Sequence, residues 1–192
     1  NNEFKKIDVI VIDHHLSEFE LPKVHSIINP NRFDDESDFK QMAAVGVTFL
    51  FLMALRKELR NHHTKKQKEP NLLSYLDLVA LGTVCDVVPL IGLNRAFVSQ
   101  GLKIFKKLSN PGLKILKNIC GIETNLNTYH LGYVLGPRIN AGGRVGKCSH
   151  GANLLLSKDP KEVFTIASEL ENFNNERKNL EKDMLNKIDM NY

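Results

Sequence analysis

The chain has 192 residues, of which 42% are hydrophobic and 25% charged. This balance is typical of a folded globular protein and excludes a largely disordered one. The formal net charge of +4 does not establish nucleic-acid binding by itself. The most apolar run, at 42–55, is shorter than the roughly 18 residues of a membrane span and leads directly into RKELR, so it predicts a buried core helix.

The cysteines and the basic clusters carry little functional information. The three cysteines form no CxxC pair, which is typical of reduced thiols in a cytosolic protein. Basic side chains cluster at 56–68 and again at 103–117. Such clusters can follow a phosphate backbone, but a solvated helix face is the commoner explanation. Charge therefore leaves nucleic-acid binding open.

The first predicted element is a strand at 7–12, IDVIVI. Its unbroken β-branched and apolar residues predict burial on both faces. A loop rich in Pro, Asn and Asp follows, with one short strand at 24–28. A single buried strand cannot form a parallel sheet alone, so we expect partner strands upstream of the chain.

Everything after this loop is predicted to be helical. Candidate helices lie at 39–60, 71–84, 93–108, 111–119 and 127–138. Asp159 as N-cap, Pro160 at the first helical position and Glu162 at the third then predict the start of a helix of roughly 30 residues.

The C-terminal helix carries a narrow apolar stripe on an otherwise charged surface. The stripe consists of Val163, Ile166, Leu170, Phe173, Leu180, Met184 and Ile188. This pattern is compatible with a terminal coiled-coil arm or with a connector to a further domain, and we favour the connector.

Three polar residues, Asp13, His14 and His15, follow the first strand. Ligands of open α/β sheets bind at the carboxyl ends of the strands. Neighbouring strand residues point to opposite sides, so we expect one histidine to reach a metal ion while the other faces a substrate or supports a ligand. The alternative is a polar turn capped by Asp13.

Asp86 is the only charged residue of LVALGTVCDVVPL at 78–90. A carboxylate in such apolar surroundings needs a cation or several hydrogen-bond donors. Gly82 and Pro89 predict a helix end near Asp86. We predict a metal ligand facing His14; the alternative is an aspartate hydrogen-bonded at a helix terminus.

The segment LGPRINAGGR at 135–144 combines glycines with forked donors suited to phosphate, Arg138 and Arg144. Pro137 is predicted to end the preceding helix, and the glycines to let the backbone approach a ligand in a turn. INPNR at 28–32 adds two further polar side chains, Asn31 and Arg32, that could contact a ligand.

Five motifs, VIDHH, INPNR, LVALGTVCDVVPL, NRAFVSQGL and LGPRINAGGR, occur in this order. In order and spacing they resemble the RecJ family of single-strand-specific DNA exonucleases, within the DHH phosphoesterase superfamily. The resemblance implies an α/β fold with a parallel sheet flanked by helices and a mostly helical later part. We expect 1–157 to be a partial DHH domain lacking its N-terminal motifs, and 158–192 to be the long connector helix to an absent second domain.

The resemblance also implies a site for two divalent metal ions, Mn²⁺ or Mg²⁺. Carried over by motif, His14 and Asp86 are metal ligands, Asp13 is a supporting catalytic acid and His15 contacts the scissile phosphate. The polar residues expected to face the substrate are Asn31, Arg32, Arg138, Asn140 and Arg144.

The chain departs from the family pattern at both ends. An Asp-x-Asp motif and a further metal-binding aspartate are expected before the DHH strand, and a second domain after the long helix. With two of the expected ligands, we predict weak metal binding and little nuclease activity for the chain alone.

The implied function is 5′-to-3′ degradation of single-stranded DNA in recombination and repair. We expect a cytoplasmic monomer without membrane association, and a helicase or single-strand-binding protein as a further partner that the sequence does not identify. Two alternatives stay open. One is another DHH hydrolase acting on short oligonucleotides, cyclic dinucleotides or pyrophosphate; the other is a non-catalytic remnant or nucleic-acid-binding module.

Overall fold

A computed structural model describes residues 7–62, 69–145 and 147–189. The second half of the basic cluster at 56–68 and the end of the predicted connector lie outside the described residues. The chain divides between Gly101 and Leu102 into two compact units. Within the described ranges, no helix is long and apolar enough to cross a membrane.

The first unit begins with two short parallel strands, β1 (Ile10–Ile12) and β2 (Ser26–Ile28). A small parallel sheet with a mostly helical remainder confirms the predicted α/β class. The predicted burial of the first strand on both faces is wrong, since Ile10 is 49% exposed. The reason is that strand β2 and the helix at Ala44–His62, which both contact β1, cover its side chains incompletely.

Three helices complete the first unit: α1 (Ala44–His62), α2 (Leu76–Cys85), which follows a 3₁₀ turn at Leu72–Tyr75, and α3 (Gly92–Phe105), which continues past the boundary. Helix α1 starts later than predicted because the residues before it form a turn that buries Met42 and Ala43. Gly101 lets α3 approach α2 closely, since a Cβ atom there would clash with the Leu76 carbonyl oxygen.

The second unit consists of α4 (Pro111–Ile119), a π-helix (His130–Leu135), α5 (Gly136–Val145), α6 (His150–Leu156) and α7 (Pro160–Asp189). Helices α4, α5 and α6 all pack against α7. Their contact surface contains fully buried leucines at 113, 116, 154 and 170. Burial of these side chains is the main source of stability in this unit.

The predicted end of a helix at Pro137, followed by a glycine-rich turn, is wrong. Helical structure continues through the proline, which lies in the first turn of α5. Proline is tolerated there because the first-turn N–H groups have no partner within the helix. Gly142 serves packing instead of a turn, since a Cβ atom there would lie 2.6 Å from the Lys147 carbonyl oxygen.

Helix α7 begins where its start signal predicts, and the Lys161 amide donates to Asp159 Oδ1 at 2.9 Å. Val163 and Leu170, in its first half, are completely buried. The apolar residues of its last three turns, Leu180, Met184 and Ile188, are more than half exposed. The described residues therefore cover only the first half of the apolar stripe. The role of α7 as a connector stays a prediction.

Candidate metal centre

His14 and Asp86 lie next to each other in the first unit. His14 follows the end of β1, and Asp86 is the C-cap of α2, where its amide donates to the Gly82 carbonyl at 2.9 Å. His14 Nε2 and Asp86 Oδ2 are 3.2 Å apart, with side chains 17% and 36% exposed. Two residues far apart in the sequence thus converge at a partly buried point.

Asp13 organises the main chain around the two histidines. Its Oδ1 accepts hydrogen bonds from the His14 amide at 2.8 Å and from His15 Nδ1 at 2.7 Å. The hydrogen bond with His15 lowers the pKa of the Asp13 carboxyl, and the same bond raises the pKa of the His15 imidazole. Asp13 therefore caps a polar turn, as the alternative to a ligand site predicted. His14 nevertheless contacts Asp86.

The two histidines have different surroundings, as the alternation argument predicts. The His15 side chain is 78% exposed, whereas His14 is largely enclosed. The ring of His15 is held by Asp13 but has an open face toward solvent. It is therefore available to an external ligand, whereas the imidazole of His14 is directed at Asp86.

The donor set fits part of a divalent-metal centre. Neighbouring ligands on an octahedral ion with bonds near 2.1 Å lie about 3 Å apart, close to the observed separation of His14 Nε2 and Asp86 Oδ2. Carboxylate is a donor that suits both Mn²⁺ and Mg²⁺, and imidazole is a general ligand of first-row transition metals. The Cys85 thiol is a poor ligand, because desolvation and the Asp86 carboxylate raise its pKa to about 11. Within the described residues, no three His, Cys, Asp or Glu side chains converge on one point.

The INPNR residues predicted to contact substrate are engaged within the protein. Asn31 Nδ2 donates to the main-chain oxygens of His14 at 2.5 Å and Lys40 at 3.0 Å. Arg32 Nη1 donates to the Ile27 oxygen at 2.7 Å, and the rest of its guanidinium pairs with Asp34. A substrate contact by either side chain stays a prediction, and it would compete with these bonds.

Two other asparagines beside the site were not singled out from the sequence. Asn29, 5% exposed, donates to the His15 oxygen at 2.9 Å. Asn94, 4% exposed, donates to the oxygens of Gln41 at 2.7 Å and Pro89 at 2.9 Å. The only hint in the sequence is that each asparagine stands beside apolar residues, Asn29 in INP and Asn94 in NRAFV. The sequence does not show which main-chain groups the two side chains contact.

The three remaining predicted residues lie on α5, in the second unit. Arg138 pairs with Glu171 of α7, and its Nη1 donates to the Val134 oxygen at 2.8 Å. Asn140 and Arg144 are exposed. They project from a helix and not from the predicted loop, and their contacts with substrate stay predictions.

Comparison with known proteins shows which proteins the chain is similar to. Residues 1–83 match the model of the DHH family, N-terminal domain. More specifically, the single-stranded-DNA-specific exonuclease RecJ of Salmonella typhimurium strain LT2 is 45% identical to the chain over 183 residues, 93% of its length. The predicted resemblance to the RecJ family is thereby confirmed. The chain spans about a third of that relative's length, 32%.

Solved structures agree in fold. A crystal structure of exonuclease RecJ bound to manganese matches 94% of the chain with a TM-score of 0.79 at 34% identity, and the match covers 43% of that protein. RecJ of Thermus thermophilus in complex with Mg²⁺ matches the same share with a TM-score of 0.76 at 35% identity, covering 26% of its chain. Both relatives bind a divalent metal ion.

Proposed function

We propose that this chain is the part of a RecJ-type exonuclease that supplies His14 and Asp86 to a divalent-metal centre. The observation that carries the proposal is the 3.2 Å approach of His14 Nε2 to Asp86 Oδ2. The similarity to RecJ proteins, including structures with Mn²⁺ and Mg²⁺, supports the same assignment. The reaction is hydrolysis of single-stranded DNA from its 5′ end.

His14 and Asp86 would hold the metal ion, which supplies Lewis-acid stabilisation of the scissile phosphodiester when bound. Asp13 holds the His15 ring in position through their hydrogen bond. That bond raises the pKa of His15, which favours the protonated form of the imidazole that would face the phosphate. A centre for two metals needs further oxygen ligands in addition to these two residues.

The wider biological role follows from the same proposal. A 5′ exonuclease of this kind acts in recombination and repair in the cytoplasm, as a monomer on single strands that a helicase exposes or a binding protein covers. Residues 1–157 would then be part of a DHH domain, and 158–192 the connector to a second domain. The exposed apolar side chains of the last turns of α7 support the connector.

The test is hydrolysis of 5′-labelled single-stranded DNA with Mn²⁺ by the full-length protein that contains this chain. We expect His14→Ala and Asp86→Ala each to lower the rate by orders of magnitude, because each removes a metal ligand. A second His–Asp pair in the same unit, His25 with Asp8 at 3.5 Å, provides matched controls. His25→Ala and Asp8→Ala should retain nearly full activity.

Undiminished activity in both His14→Ala and Asp86→Ala would overturn the metal assignment. Faster hydrolysis of pyrophosphate or dinucleotides than of long single strands would favour another DHH hydrolase. For the 192-residue chain alone we expect little activity, so robust turnover would show that its two ligands suffice.

A further inference from the structure

Short stretches of main chain, and not rigid element interiors, carry the two candidate metal ligands. His14 lies just beyond the end of β1, and Asp86 begins the connection from α2 to α3. A ligand pair on such segments needs a support that fixes one segment relative to the other. Two asparagine side chains provide hydrogen bonds at the right places.

Asn31 supports the segment of His14. Its Nδ2 donates to the His14 carbonyl at 2.5 Å and to the Lys40 carbonyl at 3.0 Å, so one amide group joins the two segments. Asn29 reinforces the arrangement, because its Oδ1 accepts from the Asn31 amide at 2.8 Å and its Nδ2 donates to the His15 carbonyl.

Asn94 supports the segment of Asp86 in the same way. Its Nδ2 donates to the Pro89 carbonyl at 2.9 Å and to the Gln41 carbonyl at 2.7 Å. Pro89 lies three residues after Asp86, in the connection from α2 to α3. The two asparagines therefore donate to adjacent residues, Lys40 and Gln41.

The segment they share is firmly anchored. Lys40 and Gln41 lead directly into Met42 and Ala43, which are 3% and 1% exposed and belong to the core of the first unit. The Met42 amide also donates to the Phe39 carbonyl at 2.9 Å, which closes the turn. A hydrogen-bonded path thus runs from His14 through Asn31 and the segment 40–41 to Asn94 and the Asp86 connection.

We propose that Asn31 and Asn94 are positioning residues that hold His14 and Asp86 at metal-binding distance through the shared segment 40–41. The proposal rests on the metal role of His14 and Asp86 given above. It assigns Asn31 a task within the protein, whereas the motif comparison assigned it to substrate. Asparagines that merely satisfied buried carbonyls would affect stability without affecting how the folded protein binds metal.

The experiment uses Asn31→Ala and Asn94→Ala in the 192-residue chain. Asn110→Ala is the matched control, since Asn110 also donates to a main-chain carbonyl, that of Leu155, but lies in the second unit. Asn31→Leu and Asn94→Leu, which keep the branched shape of the side chain and remove the donor, replace any alanine variant that does not fold. Folding is checked by amide NMR spectra before any titration.

The first readout is Mn²⁺ titration followed by paramagnetic broadening of the His14 ring signals. We expect the apparent Kd to rise about tenfold or more in the Asn31 and Asn94 variants, the usual effect of removing a group that orients a ligand. The control should bind as the unsubstituted chain does. Equal affinity in folded Asn31 and Asn94 variants would overturn the proposal.

The second readout needs no metal. Asn94→Ala should shift the His14 amide signal, and Asn31→Ala should shift the signals of Asp86 and Val87, because the path joins both sides. Shifts confined to the neighbours of each substituted residue would contradict the path. If Mn²⁺ does not broaden His14 in the unsubstituted chain, the metal assignment fails, while these metal-free shifts still decide whether the asparagines couple the two segments.

Discussion

Val87, directly after Asp86, has a φ of +58°, in the left-handed region. A β-branched residue is strained there, at a cost of about 1–2 kcal/mol. The side chain is 87% exposed, so hydrophobic burial does not offset this cost. The bond from Asn94 to the Pro89 carbonyl, two residues further on, helps to hold the strained turn in place. Strain of this kind is typical of segments that fix a functional side chain.

We predict that Val87→Gly raises the free energy of unfolding by about 0.5–1 kcal/mol, because glycine adopts a positive φ without strain and loses only part of the gain to unfolded-state entropy. Chemical denaturation of the 192-residue chain measures the change. Val88→Gly is the control, since Val88 is not among the residues with positive φ. It should destabilise the chain by about 1 kcal/mol. A loss of stability in Val87→Gly equal to that in Val88→Gly would show that Val87 is not strained.

At the residue scale, the sequence predicted that His14 and Asp86 face each other. It did not predict the asparagine hydrogen bonds that support their main-chain segments. The contrast between Asp86 and its apolar neighbours was sufficient to predict a site facing His14. The positions of Asn29, Asn31 and Asn94 relative to main-chain carbonyls depend on loop paths, which local sequence does not determine. An asparagine that binds substrate and one that binds a carbonyl of its own chain look the same in a single sequence.

At the scale of elements, the contact between α5 and α7 in the second unit contains an ion pair of Arg138 and Glu171. Sequence reasoning had assigned Arg138 to substrate binding. The guanidinium of Arg138 and the carboxylate of Glu171 pair with side chains 13% and 23% exposed. Arg138 also donates to the Val134 carbonyl, at the end of the preceding π-helix. Arg138 therefore links α5 to α7 through Glu171 and to the π-helix through Val134.

We predict that Glu171→Gln lowers the free energy of unfolding by about 1–3 kcal/mol, because it leaves a largely buried guanidinium without its counter-ion. The matched control is Glu181→Gln, which removes the exposed pair with Arg177 on the same helix. We expect a change below about 0.5 kcal/mol there. Similar small effects in both variants would mean that Arg138 is free to leave Glu171, as a substrate contact would require.

The start of α7 was predictable from local residues, whereas the continuation of helical structure through Pro137 was not. Asp159 and Pro160 correctly marked the start of α7, because capping depends on residues adjacent in sequence. Pro137 was misassigned as a stop, because a proline in the first turn of a new helix has the same local signature as one beyond the end of an old helix. Packing decided the outcome: α5 packs against α7, and a Cβ atom at Gly142 would lie 3.3 Å from the Leu170 side chain of α7.

At the scale of the whole molecule, the fold class and family were predictable, and the burial of β1 was not. Continuous β-branched sequence correctly indicated a strand of a parallel sheet. Its burial depends on neighbouring strands and helices, and the described residues place only one strand beside β1. The chain spans about a third of the length of its RecJ relatives, 32% of the Salmonella protein.

The most direct measurement of metal binding by His14 and Asp86 is anomalous diffraction at the manganese absorption edge, from crystals of the protein grown with saturating Mn²⁺. We predict an anomalous peak within about 2.5 Å of both His14 Nε2 and Asp86 Oδ2, as expected for first-row and alkaline-earth ligand bonds. Manganese bound elsewhere, with His14 and Asp86 still in direct contact with each other, would contradict it.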